Sequence, residues 1–207
     1  MGRNEEEETR GDEGVMSLKE LVRKNRSYRR FHQDVPVPLE TLKELVDLGR
    51  LSASGGNTQP LKYFLSYTSE TNAKIFPLLG WARQLGNWPG PSEGERPAAY
   101  IIVLCDTEIA KVPASDHAIA AQSILLGATE KGLGGCMLGS VQREKCRAAL
   151  GIPERFDVSL VIALGKPKEV VVVEPLPASG DTKYWRDEKQ VHHVPKRSLE
   201  DIIVGAG

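Results

Sequence analysis

From Ser17 onward, apolar residues recur at helical spacing: Leu18, Leu21 and Val22 share one face, and Ser17 with Glu20 three residues later has the form of a capping box. A second helix begins after 36-PVP-38, with Leu39, Leu42, Leu45, Val46 and Gly49 one or two turns apart. It breaks off into 51-LSASGGNTQPLKYF-64, and the pattern resumes as a strand over 62-KYFLSY-67 and a short helix over 69–79 closed by proline. A strand over 98–105 leads to 114-ASDHAIAAQSILLGATEKG-132. This helix is small or apolar almost all round, so it packs closely against another helix or against a partner chain. Then follow the glycine-rich 133–141, a helix over 142–150 stopped by Gly151 and Pro153, a strand over 157–165, an extended piece over 170–175, and a tail ending in a short helix from Ser198.

Helices first, then strands alternating with helices, predict an α+β or three-layer α/β domain and argue against a regular doubly wound sheet. Neither a repeat nor a boundary interrupts residues 16–207, which read as a single domain preceded by an acidic, low-complexity arm over residues 1–15. Within the domain, 80-GWARQLGNWPGPSEGERP-97 has no periodicity and reads as a long loop. Its Trp81 and Trp88 either present stacking surfaces to a flat substrate or pack the loop down as a satellite core.

Composition changes little in that picture. The 207 residues are 40% hydrophobic and 27% charged, with a net charge of −1, which gives no general attraction to nucleic acid. Cys105, Cys136 and Cys146 show no zinc spacing and read as small core residues of a reducing compartment. No apolar run is long enough to span a bilayer and the first residues lack a signal-peptide core, so a soluble, cytoplasmic protein is expected.

Candidate chemistry lies in four stretches. The run Ser52, Ser54, Gly55, Gly56, Asn57, Thr58 and Gln59 is more small and polar residues than a helix-to-strand connection needs. In 23-RKNRSYRRF-31, arginine forks beside a serine hydroxyl suit a phosphate, although for the bare motif taken alone a solvated basic turn is the default explanation. Lys196 and Arg197 precede the last helix and could supply the other half of such an anion site. The glycines of 133-LGGCMLGSV-141 would let backbone N–H groups approach a ligand, but they do not fit a GxGxxG dinucleotide fingerprint. His192 and His193 have no ligand-spaced carboxylate or cysteine and are expected as an exposed pair, with no metal site; His117 is expected as a satisfied core histidine.

Taken in order, 26-RSYRRF-31, 54-SGGNTQP-60, 133-LGGCMLGS-140, 164-LGKP-167 and 197-RSLEDII-203 resemble the nitroreductase family of FMN-dependent oxidoreductases over roughly residues 17 to 204. The resemblance implies a three-layer α/β/α protomer with a central mixed, mainly antiparallel sheet, paired as a homodimer with FMN at the subunit interface. It implies reduction of nitroaromatics, quinones or similar electron-poor acceptors by NADH or NADPH in a ping-pong cycle. Arg26, Ser27, Tyr28 and Arg29 then match phosphate and ribityl contacts. Arg197, with Lys196 one residue before it, completes the phosphate site. Ala53, Ser54, Asn57 and Gln59 face the flavin of the partner subunit, which explains why that run is slim. Leu138, Gly139 and Ser140 match the stretch whose backbone donates to flavin N5, with Gly139 the donor, and Arg83 stands near the pyrimidine edge. No side chain need be a nucleophile or an essential acid.

Two departures touch substrate preference more than flavin binding: Ala53 replaces a common proline, and Leu61 a common aromatic. Alternatives on the same fold are reductive dehalogenation, oxygen-dependent flavin chemistry, or a flavin-binding dimer without turnover. A phosphate-binding module that uses the arginines alone is a further class.

Overall fold

The computed structural model describes residues 16–86 and 88–207. The acidic arm therefore lies outside the described residues.

Helix α1 (Leu18–Lys24) is opened by the expected capping box. Ser17 Oγ accepts from the Glu20 N–H, and the Glu20 carboxylate accepts from the Ser17 N–H at 2.8 Å. After the two-residue strand β1 (Phe31–His32), helix α2 (Leu39–Leu51) buries Leu42, Leu45 and Gly49, the periodic face read from the sequence. The chain continues through β2 (Leu61–Ser66), α3 (Ser69–Ile75), β3 (Ala99–Asp106), α4 (Asp116–Glu130), β4 (Gly134–Leu138), α5 (Arg143–Leu150) and β5 (Phe156–Pro167). Gly151 caps α5 in the left-handed conformation at φ 63°, where glycine pays no Cβ penalty.

Strand β3 is buried along its whole length and sits between β2 and β5. Its alternating side chains feed two cores. Ile101 and Val103 pack with Leu42 and Leu45 of α2 and Ile124 and Leu125 of α4, whereas Tyr100, Ile102 and Leu104 pack with Ile75, Leu79 and Trp81. The apolar helix α4 lies against α2, and Gly127 makes the close approach: a Cβ there would fall 2.2 Å from Leu48 Cδ1. Its small residues thus serve a helix pair within the chain, while Ala118, Ile119 and Gln122 stay exposed.

The five-stranded sheet is antiparallel in every strand pairing, with β1 and β4 both on β5, so the mixed character expected of it is absent among its strands. The parallel strand pair lies instead in a second sheet of β6 (Val171–Pro175), β7 (Trp185–Arg186) and β8 (His192–Lys196). There β6 runs parallel and β7 antiparallel to β8. Two of these strands, and β4 itself, were not expected: the glycines of 134–138 conceal a strand whose neighbours come too close for larger side chains. A Cβ on Gly135 would meet the Ala163 carbonyl at 2.3 Å. The chain ends beyond α6 (Leu199–Ile202), whose N-cap is Ser198 as expected.

Candidate functional site

The segment from Arg26 to Arg30 is extended and runs beside β4: the Tyr28 N–H donates to the Gly135 carbonyl at 3.0 Å, and Ser27 bridges Gly135. Tyr28 packs on Gly134, where a Cβ would sit 2.5 Å from the ring, and its hydroxyl donates to the Lys24 carbonyl. The segment is anchored from beneath by Glu169, whose side chain is fully buried. One carboxylate oxygen accepts from the backbone N–H groups of Arg29 and Arg30, and the other accepts from Arg186 at 2.9 Å. Because this carboxylate takes backbone donors and a third arginine, the Arg29 guanidinium is left to other uses.

Those uses face a cavity of about 350 Å³ lined by Arg26, Ser27, Arg29, Gly135, Met137, Tyr184, His192 and Lys196, among others. Arg26 is held by carbonyls, donating to Asn25 O at 2.5 Å and Val22 O at 2.8 Å. Arg29 lies 5.1 Å over the Tyr184 ring, donates to Ser27 O, and has Nη1 3.3 Å from His192 Nε2. His192 is 1% exposed, which overturns the expectation of an exposed histidine pair: β8 pairs with both β6 and β7 and carries the ring inward. Burial, then the charges of Arg29, Arg186 and His193, push its pKa down to about 4. A guanidinium only donates, so Nε2 accepts and Nδ1 carries the proton; that buried N–H has no partner. An orphan of this kind costs about 1–3 kcal/mol until an acceptor reaches it.

Four cationic or neutral donor side chains around a cavity without a lining carboxylate fit a phosphate monoester. Arg197 is exposed and not among the lining residues, although its neighbour Lys196 is. Along β4, Gly135 and Met137 line the cavity, and the period of two puts Gly139 next on that face. Gly139 is exposed with open space at its Cβ position. Leu138 turns the other way into the core, and Ser140 is packed on Gly80, whose N–H donates to the Ser140 carbonyl at 2.8 Å.

The residues from the glycine-serine run lie elsewhere in the chain. Ala53, Ser54 and Gln59 line a second cavity of about 430 Å³ with Gly49, Tyr63 and Asp116. Ser54 Oγ donates to Asp116 at 2.6 Å and accepts from the Gln59 N–H at 2.8 Å, while the Gly55 N–H donates to the same carboxylate at 2.9 Å. Asn57 and Gln59 take the left-handed conformation, at φ 54° and 53°, and the Gln59 amide donates to Asn57 Oδ1 at 3.1 Å. This run is a tight loop wound on a buried carboxylate, which accounts for its small residues within one chain.

Arg83 is exposed in a 3-10 turn of the long loop. The loop itself is packed: Trp81 is buried in the second core, edge-on to Trp88 at 6.4 Å, and Gly90 approaches it too closely for a Cβ. It is tied to the C-terminal sheet by Arg186 over Trp88 at 4.4 Å and by paired contacts between Gln84 and Tyr184. Glu95 accepts both forks of Arg30, at 2.6 and 2.7 Å, and Lys168 at 3.1 Å; the Arg30 hydrogen bonds hold its pKa down to about 2.

All three cysteines are buried free thiols, and burial raises each; Cys136 is pushed up to about 12. His117 is half-buried with an unpartnered Nδ1, so the core histidine expected to be satisfied is not. No cluster of metal-ligating side chains occurs among the described residues.

Sequence reasoning missed Glu169, Tyr184 and His192. A signal for the last two was present: 184-YWRDEKQVHHV-194 places apolar-rich stretches either side of five polar residues, the form of a hairpin. For Glu169, a lone acid after a strand, there was none.

A family model, that of the nitroreductase family, matches residues 22–166. The chain belongs to the nitroreductase family. A Methanothermobacter thermautotrophicus protein provisionally named NADH dehydrogenase/NAD(P)H nitroreductase is 30% identical to this family member over 166 residues, 77% of the chain and 82% of the relative. The NADPH-flavin oxidoreductase of Vibrio harveyi is 26% identical over 178 residues, 77% and 70% of the two chains. Among solved structures, the Vibrio harveyi NADPH:FMN oxidoreductase complexed with NAD+ superposes with a TM-score of 0.60 at 26% identity, covering 78% of this chain and 74% of that one. A nitroreductase family protein from Streptococcus pneumoniae gives 0.65 at 18% identity, covering 92% and all of it, a likeness of fold. The family match stops at residue 166, so Glu169, Tyr184, His192 and Lys196 of this family member all lie beyond it.

Proposed function

We propose that this nitroreductase-family chain is an FMN-dependent oxidoreductase that takes electrons from NADH or NADPH and passes them to nitroaromatics, quinones or similar electron-poor acceptors. The observation that carries the reading is the cavity beside β4, where Arg26, Ser27, Arg29 and Lys196 converge on space suited to a phosphate. The flavin, when bound, supplies the two-electron exchange; the protein supplies position and electrostatics. Arg26, Arg29 and Lys196 neutralise the phosphate, and the Ser27 hydroxyl adds an uncharged donor. A flavin bound with its phosphate in this cavity would follow the face of β4 toward Gly139, whose backbone N–H would be the donor to N5. Donor and acceptor use one open face in turn, which gives ping-pong kinetics.

In this reading residues 16–207 are one domain, a three-layer α/β/α protomer in which the two cores on either side of β3 separate the layers. Two copies pair as a homodimer, and the 52–59 loop of each meets the flavin of the other, with Asn57 and Gln59 as donors and Ala53 and Ser54 giving the loop its slim shape. The apolar groove between α1, α2 and α4, with Leu21, Leu48 and Leu51 on its wall, supports that pairing. Arg197 would complete the phosphate site beside Lys196, and Arg83 would stand near the pyrimidine edge of the ring. No helix among the described residues is long and apolar enough to cross a membrane, which is compatible with the cytoplasmic location we propose.

The decisive experiment is the visible spectrum of the purified protein before and after anaerobic addition of NADH or NADPH. A flavin band that bleaches is expected. A colourless protein that fails to take up added FMN would overturn the reading.

A further inference from the structure

We propose that His193 is a positioning residue of the cavity beside β4: its imidazolium staples the second sheet together from outside, and flavin is released more readily as rising pH takes the proton away. The inference rests on the reading that this cavity takes FMN. It starts from the alternation along β8. His192, Val194 and Lys196 line the cavity, so His193 between them points to the other face of the strand. There its ring meets a carboxylate at each nitrogen, Glu174 of β6 at 2.5 Å from Nδ1 and Asp187 of the hairpin turn at 3.4 Å from Nε2. It also stacks on Trp185 of β7, with ring centroids 4.0 Å apart and planes within 7°.

A carboxylate only accepts, so both contacts are satisfied together only when both ring nitrogens carry hydrogen, which is the imidazolium. The neutral ring must turn a lone pair toward one of the two carboxylates. Glu174 and Asp187 are the charged groups that face the ring. Strand β7 brings Trp185 to this side, Arg186 and His192 are register partners on the opposite one, and Glu188 and Lys189 are exposed at the tip of the turn. The hydrogen bond to Glu174 accordingly raises the histidine pKa, so the staple is complete below about pH 6.5 and is lost as pH rises through the raised value.

What the staple holds is the cavity wall. Strand β7 has two residues and gains little from its own pairing, so the hairpin depends on side chains. The same hairpin places Tyr184 on the cavity and sends Arg186 to Glu169, which anchors the Arg29 and Arg30 backbone. A sheet opened at His193 therefore slackens both the β8 wall and the anchor of the arginine segment.

Full-length protein freed of flavin would be titrated with FMN at pH 6.0 and pH 8.5, following flavin fluorescence, for wild type, His193→Gln and Glu174→Gln. Amide hydrogen exchange over residues 184–196 would be read in the same samples. The FMN phosphate itself gains charge as pH rises, so each variant is compared with wild type at the same pH. Wild type should bind FMN about fivefold tighter than His193→Gln at pH 6.0, with slower exchange in β8, and both gaps should shrink at pH 8.5. Glu174→Gln removes the staple from its other end and should show the same loss at pH 6.0, which decides the matter even if the imidazole is needed for folding. If the variants match wild type in FMN affinity at pH 6.0, the proposal is overturned. If affinity falls while exchange over 184–196 is unchanged, His193 does not act through the sheet, which also overturns it. Should wild-type protein take up no FMN at either pH, the functional reading fails and control of flavin release falls with it, whereas the exchange comparison still confirms or rejects the staple.

Discussion

Two stretches stood out in the sequence for the same ligand, 26–30 and 52–59, and each is wound on one buried carboxylate from far along the chain. Glu169 holds the first through the backbone N–H groups of Arg29 and Arg30. Asp116 holds the second through the Gly55 N–H and the Ser54 hydroxyl. The difference lies in what is left over. In the arginine segment the anchor takes main-chain donors, so the Ser27 and Arg29 side chains remain for a ligand. In the glycine-serine loop the anchor takes the serine side chain itself, so Ser54 shapes the loop and only its neighbours can present donors outward. A conspicuous run of polar residues is thus not equivalent to a set of available ligands.

The sharpest test of that comparison is to remove the anchors. Glu169→Ala leaves two buried N–H groups and Arg186 unpaired, and should cost about 3–5 kcal/mol of stability in chemical denaturation. A loss below about 1 kcal/mol would mean water replaces the carboxylate readily. Next in size, Arg29→Ala should weaken FMN about ten- to a hundredfold with little change in Tm, since a charged donor to phosphate is lost while Glu169 still holds the backbone. Ser54→Ala removes one donor and one acceptor from the loop and should cost about 1–2 kcal/mol, with thermal denaturation as the measure. If it abolished flavin binding while leaving Tm unchanged, the contrast between the two stretches would fail.

The smallest effect separates adjacent residues of β8. His192 is held well below the ordinary value by burial, so the folded protein binds fewer protons there, and the stability tied to the neutral ring is lost as pH falls from about 6.5 toward about 4. His193 is raised, chiefly by its hydrogen bond to Glu174, and its contribution is full below about pH 6.5 and fades as pH rises through the raised value. Wild type should therefore exceed His193→Gln in Tm at pH 6 by more than at pH 8.5. Equal gaps at the two pH values would remove the charged pairing.

Much of this was legible in advance. Ser17 and Glu20 spelled the first cap, the periodic leucines gave α2 its buried face, and the arginine segment with Lys196 marked the cavity. What escaped notice had specific causes. Strand β4 is written in glycines because Tyr28 and the Ala163 carbonyl crowd it, which erases the β-branched signature of a strand. His192 and His193 looked exposed because strand pairing, not local hydrophobicity, buries the first and partly covers the second. Trp81 and Trp88 were ambiguous because an aromatic in a loop serves packing and stacking equally well until Gly90 and Arg186 are seen against them.

The reach of the Glu169 contacts has a consequence for biosynthesis. Arg29 is separated from its anchoring carboxylate by 140 residues and from His192 by 163. A ribosome adding 5–20 residues each second takes roughly ten to thirty seconds to cover that span. Throughout that interval the arginines have emerged but the back wall of their cavity has not been made. On the proposed reading of this cavity, cofactor loading waits for the chain beyond residue 169, and a translational pause ahead of that residue would delay it.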